Sequence, residues 1–176
     1  MPASDITQRI LDLPVVVEPA DQAVIMAIDL SGSAERIWAH LTDPDLLATW
    51  SPIVPERPLT EVGPVLARES PDSDPFTADV LATAGDHALS HRFGDDTLEW
   101  LIDQGRLTLL LRLTDPSTAP LQLAGWQVCL GVLDARLEGH EQERIVGQDA
   151  LAHGWEQLRA RHAHEFGLPD PSADQG

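Results

Sequence analysis

The sequence predicts an α+β fold: a curved antiparallel sheet of about six to seven strands wrapped around one long C-terminal helix. Three observations support it. The stretch Ala124 to Gly139, AGWQVCLGVLDARLEG, puts Trp126, Leu130, Leu133 and Leu137 on one helical stripe and Leu121, Val128 and Val132 on another. Only a narrow polar wedge of Gln127, Asp134 and Glu138 is left, so this helix is buried on two sides. Upstream, short apolar segments are separated by tight turns, and connections that short force antiparallel neighbours. In the last of these segments Leu107, Leu109, Leu111 and Leu113 share one face opposite Arg106, Thr108 and Arg112. One side of the sheet therefore needs a cover, and the long helix is the nearest candidate.

Residues 1 to 22 read as an N-terminal arm in which Val15 to Val17 make a short edge strand ended by Pro19. Ala23 to Leu30 form a first strand with two largely apolar faces. Ser31 or Ser33 caps a helix with Ile37, Trp38 and Leu41 inward and Glu35, Arg36 and His40 outward. Asp43 and Pro44 start a second short helix that runs through Leu46, Leu47 and Trp50. After a Pro-rich connection, strands are expected near Leu59 to Val62, Val65 to Glu69, Phe76 to Thr83, Ala88 to Phe93, Thr97 to Asp103 and Arg106 to Thr114. Ser117 or Thr118 caps the long helix, and Gly139 sits where a left-handed C-cap residue is wanted. Beyond a charged link, Leu151, Trp155, Leu158, His162 and Phe166 form the single stripe of a surface-lying helix that ends at Gly167 and Pro169. The organisation is then an arm at 1–22, the main domain at 23–139, its helical extension at 140–168 and a disordered tail at 169–176.

Composition narrows the function. Twenty-nine acidic residues against 11 basic ones give a formal charge of −18, which repels phosphate backbones and anionic lipid headgroups, so no nucleic acid partner is expected. All 11 basic residues are Arg, and the chain has no Lys, Tyr or Asn. A Schiff-base or phosphate-loop Lys, a Tyr acid and an N-glycosylation sequon are thereby excluded. Cys129 is single and cannot form an internal disulfide. No charged leader with an apolar run opens the chain, and nothing approaches the roughly 18 continuous apolar residues of a membrane span. A cytoplasmic protein without membrane insertion is the expectation.

Specific strings carry a family resemblance. Ala34 to Trp50, AERIWAHLTDPDLLATW, the strand pair Thr77 to Leu81 and Leu89 to Phe93, the segment Leu98 to Ile102 and the stretch Gly125 to Leu133, GWQVCLGVL, fall in matching order. Together they resemble the helix-grip fold of the START-like (SRPBCC) superfamily of lipid-transfer domains, pollen allergens and polyketide cyclases. Within it they are most similar to the branch named after the activator of the heat-shock protein 90 ATPase. Ser51 stands where that branch has a second aromatic, and Phe93 where it has a Trp. The resemblance implies a space between helix and sheet that takes small apolar ligands.

Trp38, Trp50, Trp100 and Trp126 are the large side chains placed to line such a space, with His91 and Cys129 beside them. Each also has a structural reading as plain core, and Cys129 as a small inert hydrophobe. His91 shares a strand face with Leu89 and Phe93, which aims its imidazole inward. His87 lies four residues away, about 13 Å along a strand, too far to share a metal ion. No zinc spacing, nucleophile elbow or phosphate loop occurs, so neither metal nor cofactor is expected.

Three function classes remain open: a carrier or sensor of a small hydrophobic molecule, an enzyme of cyclase, dehydratase or hydrolase type, and a chaperone-activator-like interaction module. A dry cavity favours the first, a cavity with converging His and carboxylates the second, and a filled core the third. A homodimer through the sheet edge or the final helix is a further expectation, resting on the stripe at Trp155.

Overall fold

The computed structural model describes residues 1–165 and 167. The chain opens with α1 (Ala3–Asp12), β1 (Val16–Ala20) and β2 (Ala23–Asp29), followed by the short helices α2 (Ala34–Thr42) and α3 (Pro44–Leu47). Three short strands follow, β3 (Val54–Pro55), β4 (Leu66–Arg68) and β5 (Phe76–Thr77). Then come β6 (Val80–Ala84), β7 (Ala88–Phe93), β8 (Asp96–Asp103) and β9 (Arg106–Arg112). The long helix α4 (Ala119–Leu137) and the shorter α5 (Trp155–Glu165) complete it, each preceded by 3-10 turns.

Six strands make one sheet in the order β1-β2-β9-β8-β7-β6, every neighbouring pair antiparallel. Hairpin chemistry explains the local pairings. Gln104 and Gly105 both adopt positive φ (50° and 81°), which matches the twist of the β8–β9 ribbon. The pairing of β2 with β9 sets a strand from the start of the chain beside the last one, at the centre of the sheet that packs on α4. Helix starts follow their caps: the Ser33 side chain accepts from Arg36 N at 3.2 Å, and the Asp43 carboxylate accepts from Asp45 N at 2.9 Å. Gly139, at φ 92°, ends α4 as expected. Thr118 precedes α4 without a side-chain cap; Asp115 caps the 3-10 turn before it instead.

The inner face of the sheet packs on α4 through Met26, Ile28, Leu98, Ile102, Leu107, Leu109 and Leu111, all buried. Both apolar stripes of α4 are buried, as their spacing predicts, except for half-buried Leu121. Its polar wedge is met as well, with Gln127 buried, Asp134 part-buried and Glu138 exposed, by a helix that the sequence does not announce. Residues 3–12 hold only two apolar side chains that become buried, Ile6 and Ile10, too few for a periodic signal. They dock on α4 where Gly131 has no side chain; a Cβ there would sit 2.5 Å from Ile10 Cγ1. Gln127 Nε2 donates to Ile10 O at 2.9 Å, Arg9 forms ion pairs with Asp134 (2.6 Å) and Glu138 (2.8 Å), and His162 Nε2 lies 2.7 Å from Gln127 Oε1. Because the Gln127 amide spends its donor on Ile10, its oxygen accepts, and His162 donates from Nε2.

Several local expectations are corrected. His40 is buried rather than outward: Nδ1 donates to Arg36 O at 2.8 Å, and its own carbonyl receives the Trp50 indole N–H. Residues 59–62 form no strand; Pro58 and Pro64 withhold donors there, and Leu59 enters the core from a loop tied to Thr42 O. The segment 76–83 divides into β5 and β6 around Ala78 and Asp79, whose bonds go to Val65. A 3-10 stretch, Gly147–His153, precedes α5, so the expected stripe starts at Trp155, while Leu151 is exposed. Phe166, Pro169 and the tail lie outside the described residues, apart from Gly167.

Gly131→Ala tests the seat of α1. Alanine is the better helix former, yet its methyl lands on Ile10, so stability measured by urea unfolding should fall by about 1–3 kcal/mol. An unchanged or raised midpoint would show that α1 does not sit there.

Candidate functional site

Three indoles meet between α4 and the sheet. Trp50 follows α3, Trp100 is on β8 and Trp126 on α4, and their centroids lie 5.4–6.3 Å apart at steep interplanar angles. This is the edge-to-face geometry that aromatic quadrupoles prefer. Phe93 adds a ring 6.0 Å from Trp126, and Phe76 one 5.2 Å from Phe93. The expected chamber between helix and sheet is therefore occupied by side chains, and Trp50 has no exposed surface.

His91 belongs to this interior. Trp100 Nε1 donates to His91 Nε2 at 2.9 Å, which fixes the proton on Nδ1, and Nδ1 in turn donates to Arg92 O at 3.0 Å. Both nitrogens are spent. Burial also lowers the imidazole pKa to about 4, so the ring stays neutral and orients Trp100 rather than exchanging protons. Trp50 is tied in the same way, Nε1 donating to His40 O at 2.9 Å. Trp126 differs. It is 3% exposed, and its indole N–H has no acceptor among the described residues.

A cleft of about 270 Å3 opens on the flank of α4 at Trp126. Leu121, Gly125 and Cys129 line its helix side, Trp155 and Ile145 the opposite wall, and Phe93 its rim. No charged side chain lines it, in a chain of formal charge −18. The Cys129 thiol, whose Sγ is 3.8 Å from Ile145 O, is pushed up to about 12 by burial and remains a thiol. A larger trough of about 400 Å3 crosses the outer face of the sheet near Leu101 and Leu110. It lies on the side away from α4, and no titratable groups converge in it beyond Glu99. Among the described residues no three His, Cys, Asp or Glu side chains gather to hold a metal ion, and no helix is long and apolar enough to cross a membrane.

Of the six residues singled out from sequence, Trp126 and Cys129 line the cleft, and Trp50, Trp100 and His91 stand behind it as packed support. Trp38 lies apart, half-buried on α2 and outside the ring contacts that join the other three. Phe93 and Trp155 complete the cleft without having been singled out. A signal existed for each: Phe93 shares the His91 strand face, and Trp155 heads the α5 stripe.

No family model matches the chain, and neither does any curated protein. Solved structures do. CalU16 from Micromonospora echinospora superposes with a TM-score of 0.62 at 16% identity, over 86% of this chain and 97% of the other. EF2215 from Enterococcus faecalis, a conserved protein of unknown function, gives 0.60 at 17% identity over 91% and 93%. DynU16, a protein in the dynemicin biosynthetic locus, gives 0.56 at 20% identity over 68% of this chain and 48% of its own. At these identities the likeness is one of fold. The chain is a helix-grip protein: a six-stranded antiparallel sheet closed on a long C-terminal helix.

The buried histidines give the fold a pH signature. His91 and His162 both have pKa values lowered to about 4 by desolvation, against 6.5 when exposed, and His40 is lowered too. The unfolded chain therefore binds more protons below 6.5, and folding stability falls on acidification. Urea midpoints should therefore drop as pH falls from about 7 to about 5.5, and fall again above about pH 8, where the Cys129 thiol, pushed up by burial, ionises in the unfolded chain but not in the folded one. His91→Gln, which still offers Trp100 an acceptor but cannot titrate, should flatten part of the acid-side slope; an identical slope would place a charged or solvated His91 in the folded state.

Proposed function

We propose that this protein binds a small, neutral, apolar molecule in the cleft beside Trp126 and acts as its carrier or sensor. One observation carries the reading: an aromatic-walled cleft with no charged lining, bordered by the Trp126 indole, whose N–H has no protein acceptor among the described residues. Such a site rewards apolar contact and offers a few directional bonds, from the indole N–H groups and the Gln122 amide, which is how small-molecule pockets combine affinity with orientation. Trp126 and Cys129 would touch the ligand, while Trp50, Trp100 and His91 hold Trp126 in place.

The enzyme reading, of cyclase, dehydratase or hydrolase type, needs an acid or base at the cleft. His91 has both nitrogens engaged, and the lining holds no carboxylate. DynU16's association with a biosynthetic locus nevertheless suits a ligand that is a biosynthetic small molecule. A filled interior would suit an interaction module of the heat-shock protein 90 ATPase activator kind, a branch that the α2–α3 sequence resembles. Two residues of the stripe expected to serve it, Leu158 and His162, are buried in the protein's own core, while Leu151 is exposed and Trp155 half-buried. For pairing of two copies the sheet edges, where Val16 and Leu81 are exposed, are the better-supported surface.

Titration with neutral aromatic probes while following tryptophan emission tests the reading. A saturable change is expected, because Trp126 and Trp155 border the cleft. Unaltered emission with every probe, together with no heat of binding, would remove it.

A further inference from the structure

The buried helix α4 contains two glycines, and only one has a packing reason. At Gly131 the missing side chain is replaced by Ile10, whose Cγ1 stands 2.5 Å from where a Cβ would be. At Gly125 a Cβ would meet a single atom within 4 Å, the Trp155 indole nitrogen at 4.0 Å. The backbone there is ordinary helix, so no left-handed conformation calls for glycine either. Glycine is the poorest interior helix former after proline. A position that would accept a methyl group, gain helix stability from it and yet carries none is open for some other reason.

Gly125 lies at the middle of the cleft's helix wall. Leu121, Gly125 and Cys129 are spaced four apart, which puts them on one stripe. The Leu121 and Cys129 backbones are about 12 Å apart along the axis, with a notch at the centre. Trp126 flanks the notch and Trp155 faces it. Neither indole N–H has an acceptor among the described residues. The notch is thus ring-walled and uncharged, and its polar side-chain groups are the two indole N–H donors and the Gln122 amide.

We infer that Gly125 is the residue that sets the size and shape of the ligand: it opens a slot for a planar, neutral aromatic molecule of about two fused rings bearing a hydrogen-bond acceptor. The inference rests on the cleft being the binding site. The rings lie over Gly125 between the Trp126 and Trp155 side chains, and the acceptor oxygen receives an indole N–H. An anionic ligand of the same shape is disfavoured, because the slot supplies no cation and the chain around it is strongly negative.

The test is a size series in the full chain, Gly125→Ala and Gly125→Leu, titrated with 1-naphthol and with the single-ring phenol, by tryptophan emission and by calorimetry. Gly125→Ala should weaken 1-naphthol by about tenfold, leave phenol within a factor of about two, and raise Tm by about 2–4 °C through helix propensity. Gly125→Leu should abolish binding of 1-naphthol. If the wild-type chain binds 1-naphthol and Gly125→Ala binds it equally well, the role of Gly125 is overturned while the cleft survives. If the wild-type chain binds neither probe, the cleft reading falls and this one with it. The Ala variant decides the matter even should the Leu variant fail to fold, and a lowered Tm for Gly125→Ala would itself contradict the open space described here.

Discussion

Burial of α4 along most of its surface is the constraint from which the remaining structure follows. A 19-residue helix so largely covered must have its buried side chains matched in volume and its buried polar atoms matched with partners. The apolar matches are numerous, and each fully buried leucine or valine contributes about 1.5–3 kcal/mol. The polar match is single and more demanding. Gln127 in the middle of the helix would cost about 1–3 kcal/mol if left unpaired. Its two bonds go to the last turn of α1 and to His162 of α5. The terminal helices are therefore parts of the core, because they complete hydrogen bonds that the sheet cannot reach.

The same burial decides where a ligand can and cannot go. Edge-to-face packing of Trp50, Trp100 and Trp126 fills the volume that a wider sheet would leave as a chamber. Two of those indoles spend their N–H groups internally, which pins their orientation, and His91 is held neutral to receive one of them. Trp126 stands at the boundary, with one face in the cluster and its edge toward the flank. The open volume beside Trp126 lies outside the sheet, in the seam between α4 and the chain that follows it. That seam exists because Gly139 turns the chain and the 3-10 stretch before α5 brings Trp155 back over Gly125.

Charge is arranged to match. The acidic excess is carried on exposed surfaces, while Arg9 and Arg144 are spent on neighbouring segments: Arg9 on the α4 carboxylates, Arg144 on the Ser51 and Glu69 carbonyls. The cleft is left uncharged inside a negative envelope. Desolvating an anion there would meet no compensation, whereas a neutral ring loses nothing by entering.

Local chemistry made much of the fold legible. The two stripes of α4, the alternation of Leu107 to Leu113, the caps at Ser33 and Asp43 and the turn residues Gln104 and Gly105 each act within a few residues of themselves. Trp126 and Cys129, which line the cleft, share a helix whose buried face was evident from the sequence. Other features were decided only by the assembled protein. Gln127 looks solvated until α1 and α5 cover it, and His40 looks external until Trp50 bonds to its carbonyl. Trp155 looks like a surface anchor until α5 folds back on Gly125. The reason is that a cap, a stripe or a turn is a property of neighbouring residues, whereas a cleft is the small volume left between segments far apart in sequence. No short stretch of chain contains that difference.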